Sequence, residues 1–326
     1  MKQLLFLILL GFAACGAARA PASASASYHL IPGQFGPESS PDGNSILLDA
    51  PEGLILVDTG RHPEHTQRLI AYARERGQPI AAIVNTHWHL DHSSGNGLVR
   101  AAYPQAPVYA SNAVDGALAT FLRRSREDAE RRLASGSLSE AQQGEVRRFL
   151  GVMDHPEWLR PTRPVVRSGA QRIAGRRLQV NLAPFAASEG DVWLYDPASR
   201  LVVAGDLVVT EVPFMDTACA EGWRRALDGI AAMPFITLIP GHGEPMTHAQ
   251  FLIWRTAFGN LVDCGSSDRP RADCIAGWRR DAAIFMRPGR ERMIDEMVGY
   301  YIDSRLRAAP EERQHYCRPL RATATG

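Results

Sequence analysis

The chain has 326 residues, 45% of them hydrophobic and 22% charged, with a formal net charge of +1. This is an ordinary globular composition. The near-neutral charge leaves no electrostatic case for nucleic acid or an anionic membrane surface as a partner. The length suits one large domain with extensions, or two small ones.

Residues 1–24 read as a signal peptide. Lys2 supplies a positive n-region, and Leu4 to Ala14 is an apolar run too short to cross a bilayer. Ala22-Ser23-Ala24 is preferred as the cleavage site over Ala18-Arg19-Ala20, which Pro21 follows directly. Phe12-Ala13-Ala14-Cys15 also has the form of a lipobox, which would place a lipid anchor on Cys15. Either route predicts a periplasmic or secreted protein, and no later stretch is long and apolar enough for a membrane span. The Pro, Ala and Ser residues at 21–27 read as a flexible linker.

Ser45 to Leu48 and Leu54 to Val57 read as a hairpin of two strands around Pro51-Glu52-Gly53, the second running into Asp58-Thr59-Gly60. Helical spacing covers His65 to Arg76 and stops at Gly77. Ile80 to Val84 is a buried strand, and this βαβ order implies a partly parallel sheet. A helix is expected to begin within Ser93 to Ala102. Residues 112–153 read as helices broken near Gly136 to Glu140, either a lid or a helical layer packed against the sheet. Strand signals return at Arg177 to Val180, Val192 to Tyr195, Leu201 to Ala204 and Phe235 to Ile239. From Gln250 the chain reads as helical. Met293, Ile294, Met297, Val298, Tyr301 and Ile302 follow a period near 3.6, a stripe read as packing rather than a cofactor box.

With Cys15 set aside, Cys219, Cys264, Cys274 and Cys317 remain. An even count in an oxidising compartment favours disulfides. Cys264 and Cys274 flank a short polar stretch and are the first pair expected. Cys219 with Cys317 would then tie the C-terminal tail to the main domain. Four buried free thiols are the alternative.

The strand from Ile80 delivers His87-Trp88-His89-Leu90-Asp91-His92. Imidazole and carboxylate are ligand types that suit zinc in hydrolytic sites, where the ion lowers the pKa of bound water from about 15.7 to about 7. Alternation lets His87 and His89 point the same way. Asp91 and His92 come later on the same loop and face a neighbouring position.

This motif resembles that of the metallo-β-lactamase-fold hydrolases, with Asp58-Thr59-Gly60, Gly205-Asp206 and Pro240-Gly241-His242-Gly243 following the family's order over roughly residues 28–250. The resemblance implies an α/β, four-layer αβ/βα sandwich with metals at the edge between two sheets. Here it would carry a helical insertion at about 112–153 within a domain at 25–250, and a helical C-terminal extension at 251–326. The resemblance assigns His87 and His89, with a third histidine, to one metal. It assigns Asp91, His92 and His242 to a second, and Asp206 as the bridge. It makes Asp91 the catalytic group for proton transfer to the leaving group, and Asp58 a residue that orients the ligand loop. The departure is at Ala187, where the family's His-x-x-Gly-Asp pattern, ending here at Gly190-Asp191, carries its third histidine. Glu189 and His155 are the candidates to replace it, and one or two zinc ions remain open.

The implied function is a zinc-dependent hydrolase. Metal-bound hydroxide would attack a small-molecule ester, thioester, lactone, lactam or phosphodiester. Aspartate at 206 is more similar to the thioesterase, lactonase and phosphodiesterase branches than to the β-lactamases, although export suits the latter. The alternative is a non-catalytic, metal-binding periplasmic accessory protein of the same fold.

Overall fold

The computed structural model describes residues 28–34 and 40–319, so the segments expected as signal peptide and linker, and Cys15, lie outside the described residues. Eleven strands are present among the described residues: β1 (Tyr28–Ile31), β2 (Ser45–Ala50), β3 (Gly53–Val57), β4 (Ile80–Val84), β5 (Val108–Ala110), β6 (Arg163–Pro164), β7 (Gly169–Ile173), β8 (Arg176–Pro184), β9 (Gly190–Asp196), β10 (Leu201–Val209) and β11 (Thr237–His242). β1 to β6 form one sheet in chain order, and β11 to β7 form a second in reverse order. The first is antiparallel through β3 and parallel beyond it. The second is antiparallel except for the parallel pair β10 and β11.

The strands read as near-continuous apolar runs because both faces of each sheet are covered. Ile46, Leu48, Ile55 and Val57 point between the sheets and meet Val180, Leu194, Val203 and Ile239. Their neighbours Leu47, Leu54 and Leu56 point outward against Leu69, Ala73 and Val99. These come from the helices Pro63–Glu75 and Asn96–Ala102. The outer face of the second sheet is covered by Ala220–Ala231, His248–Gly265, Arg271–Asp281 and Glu291–Tyr301, which share its core. The result is the expected four-layer sandwich with its helical extension.

Three tryptophans from that outer layer grip the end of β10 and the residues after it. The indole N–H groups of Trp223, Trp254 and Trp278 donate to the carbonyls of Leu207, Val209 and Glu211 at 2.9, 3.0 and 2.9 Å. Buried indoles need such partners, and the two-residue spacing of the acceptors follows the strand period. This fixes the segment that carries Asp206.

The region 112–153 holds three helices, Ala113–Ala119, Phe121–Ala134 and Glu140–Met153. The last begins with a Ser139 and Gln142 capping box. This layer packs on the histidine-rich loop rather than on a sheet: Leu122, Val114 and Met153 bury Trp88 and Leu90. Both expected disulfides are present, Cys219–Cys317 and Cys264–Cys274. Among the described residues no helix is long and apolar enough to cross a membrane.

Candidate metal centre

The ends of β3, β4, β10 and β11 meet at one edge of the sandwich, and each contributes to a single cluster. Asp58 leaves β3 with φ of 59°, a left-handed conformation that is uncommon for a residue with a side chain. Its carboxylate accepts from the Thr86 N–H (2.8 Å), the Thr86 hydroxyl (2.7 Å) and His92 Nδ1 (2.8 Å). The position therefore serves two loops at once.

Three imidazoles are oriented through the nitrogen facing away from the centre. His92 donates its Nδ1–H to Asp58, leaving the Nε2 lone pair inward. The Thr86 hydroxyl spends its hydrogen on Asp58, so it accepts from His87 Nδ1 at 3.0 Å. His87 Nε2 is then a buried nitrogen with no hydrogen-bond partner. The Thr217 hydroxyl donates to the Ala187 carbonyl (3.1 Å) and so accepts from His89 Nε2 at 2.9 Å, which leaves the His89 Nδ1 lone pair. Histidines that bind metals characteristically donate their other N–H in this way.

The inward-facing atoms fall into two groups. Asp91, His92, Asp206 and His242 form one, and His87, His89 and Asp206 the other, each with one ligand atom per residue mutually within 4.8 Å. His92 Nε2 lies 3.1 Å from Asp206 Oδ1 and 3.3 Å from His242 Nε2, and His242 Nε2 lies 3.1 Å from Asp91 Oδ2. All six residues singled out from sequence are thus together, and Asp206 belongs to both groups. Glu189 and His155 join neither. His155 is exposed, bonded to Glu157 and stacked on Trp158. Ala187 is fully buried and offers no donor atom.

The carboxylates favour positive charge at the cluster, whether on the His92 imidazole or on a bound cation. Burial alone would lower the His92 pKa, yet Asp206, Asp58 and Asp91 around it drive it well above the ordinary imidazole range. Burial and the neighbouring His92 push His87 well below that range. Burial would raise Asp91, but His92, His242 and Arg61 outweigh it and hold the carboxyl well below the usual carboxylate range. A buried set of carboxylates and imidazoles with converging lone pairs fits a divalent ion of the zinc type.

Glycine is required beside this cluster. Gly205 has φ of +55° and packs against Thr86, and a Cβ on Gly241 would overlap Asp206 Oδ1. Asn44, which the sequence pattern did not single out, clamps the end of β11. Its amide donates to Pro240 O (2.9 Å) and Gly243 O (2.8 Å), on either side of His242. Thr86 and Thr217 were likewise missed, because single hydroxyls carry no spacing signal.

Two cavities flank the cluster. One of about 1130 Å³ lies between the helical insertion and the loop, reaching Arg61 and Leu90. The other, about 300 Å³, has His242 in its wall.

The family profile of the metallo-beta-lactamase superfamily matches residues 41–242. The chain is 28% identical over 225 residues to a linear primary-alkylsulfatase of a Pseudomonas species, an alignment covering 62% of this chain and 41% of that protein. The chain thus spans well under half the length of that curated relative. A metallo-β-lactamase family protein of Thermus thermophilus is similar in fold, with a TM-score of 0.57 at 19% identity over 85% of this chain and 93% of that one. A metallo-β-lactamase from Pontibacter korlensis gives 0.53 at 19% identity over 73% of this chain and 98% of that one.

Proposed function

This chain belongs to the metallo-β-lactamase superfamily, and on that premise we propose that it is a metal-dependent hydrolase of ester-like small molecules. The observation that carries the reading is the convergence of Asp91, His92, Asp206 and His242. These four residues would hold one zinc-type ion tightly. His87, His89 and Asp206 would hold a second more weakly, because Ala187 supplies no fourth donor. When bound, the metal supplies Lewis acidity and makes water available as a nucleophile near neutral pH.

The chain's own residues do the rest. Asp91 is kept ionised by its surroundings, as a metal ligand needs to be, and it is the residue that would pass a proton toward the leaving group. Arg61 lies 3.7 Å from Asp91 Oδ1 and restrains that carboxylate from the outer side. His87, His92 and Asp206 are buried, whereas His89 is partly exposed. The two disulfides suit an oxidising compartment, and with the N-terminal apolar run they support export to the periplasm or beyond.

Elemental analysis of the mature protein tests the first part, with one tight and one weaker divalent ion per chain expected. A panel of ester, thioester, lactone, lactam, phosphodiester and sulfate ester substrates tests the second. The sulfate ester is included because the Pseudomonas relative carries that activity in its name. The missing histidine at Ala187 favours one other reading, a non-catalytic metal-binding protein. Absence of turnover across the panel by metal-loaded protein would establish it in place of the hydrolase.

A further inference from the structure

Resting on the hydrolase reading, we propose that the cavity beside His242 is the subsite for the apolar arm of the substrate, an unbranched acyl or alkyl chain. The wall is unusual in composition. Met246, Met286, Met293 and Met297, four of the chain's eight methionines, line it with Phe214 and Phe285. Thioether side chains have several rotatable bonds and reshape around a flexible guest. The Phe214 ring meets the His242 imidazole edge-on, with centroids 5.4 Å apart, so an apolar side chain of the wall touches the candidate metal cluster.

Two further observations separate this cavity from ordinary core. Met293 and Met297 stand four residues apart on the helix Glu291–Tyr301 and share a face. They are only partly buried, whereas Ile294 and Val298 on the other face are sealed into the core. In addition, the Arg287 guanidinium is engaged by Glu211 through two contacts of 3.0 and 2.8 Å. Arg290 and Glu244 also stand in the wall, so the apolar arm would lie along the methionines and away from this charged side. At about 300 Å³, and taking a methylene as similar in size to a water at about 30 Å³, the cavity takes roughly eight to ten methylenes.

The test uses the full mature chain in two assays. The first measures kcat/KM for p-nitrophenyl esters from acetate to dodecanoate. The expected rise is about three- to fourfold per methylene, ending near the length that fills the cavity. The second measures binding of 1-butanol and 1-octanol by calorimetry, which does not depend on turnover. Met297→Phe, which fills the cavity, should shorten the preferred ester and weaken octanol at least fivefold. Met293→Gln, which keeps the size but not the apolarity, should flatten the chain-length dependence and serves if the first variant does not fold. If no p-nitrophenyl ester is turned over, the octanol result alone decides the subsite, and the hydrolase reading stands or falls on the wider substrate panel. Octanol binding no tighter than butanol overturns the proposal. So does a chain-length profile or octanol affinity that neither variant changes.

Discussion

His89 and Thr217 meet across 128 residues of sequence, with His89 Nε2 at 2.9 Å from the Thr217 hydroxyl. Because that hydroxyl also donates to the Ala187 carbonyl, the backbone at the position of the absent histidine still steers the neighbouring imidazole. Thr217→Val keeps the shape and removes the acceptor. It should weaken the looser ion by about 10–100-fold, the usual cost of losing a ligand's outer partner, and leave the tighter ion unchanged. Competition against a chelator of known affinity reads both.

Gly241→Ala should be more damaging than its size suggests. The new methyl would overlap Asp206 Oδ1, the carboxylate common to both groups, and β10 is held too firmly by the three indoles to give way. Both ions should weaken and activity should fall at least a hundredfold while the far-ultraviolet circular dichroism stays native. Retention of both ions would show that Asp206 moves freely.

The His62, Asp42 and Glu145 triad gives a pH-dependent fastening away from the metal cluster. His62 Nδ1 lies 2.8 Å from Asp42 and its Nε2 lies 3.1 Å from Glu145, on the third helix of the insertion. The bond to Asp42 raises the His62 pKa above 6.5, despite burial. A raised histidine contributes stability in full below its unfolded pKa and loses it as pH rises through the folded value. Urea midpoints should therefore decline above about pH 6.5 in the wild type, and His62→Gln should flatten that decline. A wild-type curve with the same slope as the variant would remove this role.

Cys219–Cys317 closes a separation of 98 residues. Replacing both cysteines with serine should cost about 2–5 kcal/mol of stability, measured by denaturant unfolding. The Cys264–Cys274 pair, with a separation of 10, should cost less, since loop-closure entropy grows with loop length.

Much of this was legible in the chain. Apolar runs such as Leu54 to Val57 announced strands covered on both faces, and the histidine-rich loop announced the metal cluster. Hydroxyl and amide partners were not legible. Thr86, Thr217 and Asn44 act through two or three side-chain hydrogen bonds from loops, and nothing in their spacing marks them. Periodicity also could not divide the stripe from Met293 to Ile302. It shows that a helix has an apolar face, as the packing of all four side chains on one core bears out, but not that Met293 and Met297 also line a cavity. For the insertion, the helices were readable, but not their packing on Trp88 and Leu90, because a buried tryptophan in a loop has no pattern of its own.

The link from Cys219 to Cys317 also sets an order of events during biogenesis. The loop carrying Thr217 lies two residues before Cys219, and the partner sulfur is not synthesised until almost a hundred residues later. The segment that steers His89 is therefore tied covalently to the C-terminal tail only after the C-terminal helices have been made and an oxidant has joined the two thiols, while its hydrogen bonds to the backbone at Ala186 and Ala187 hold it without that link.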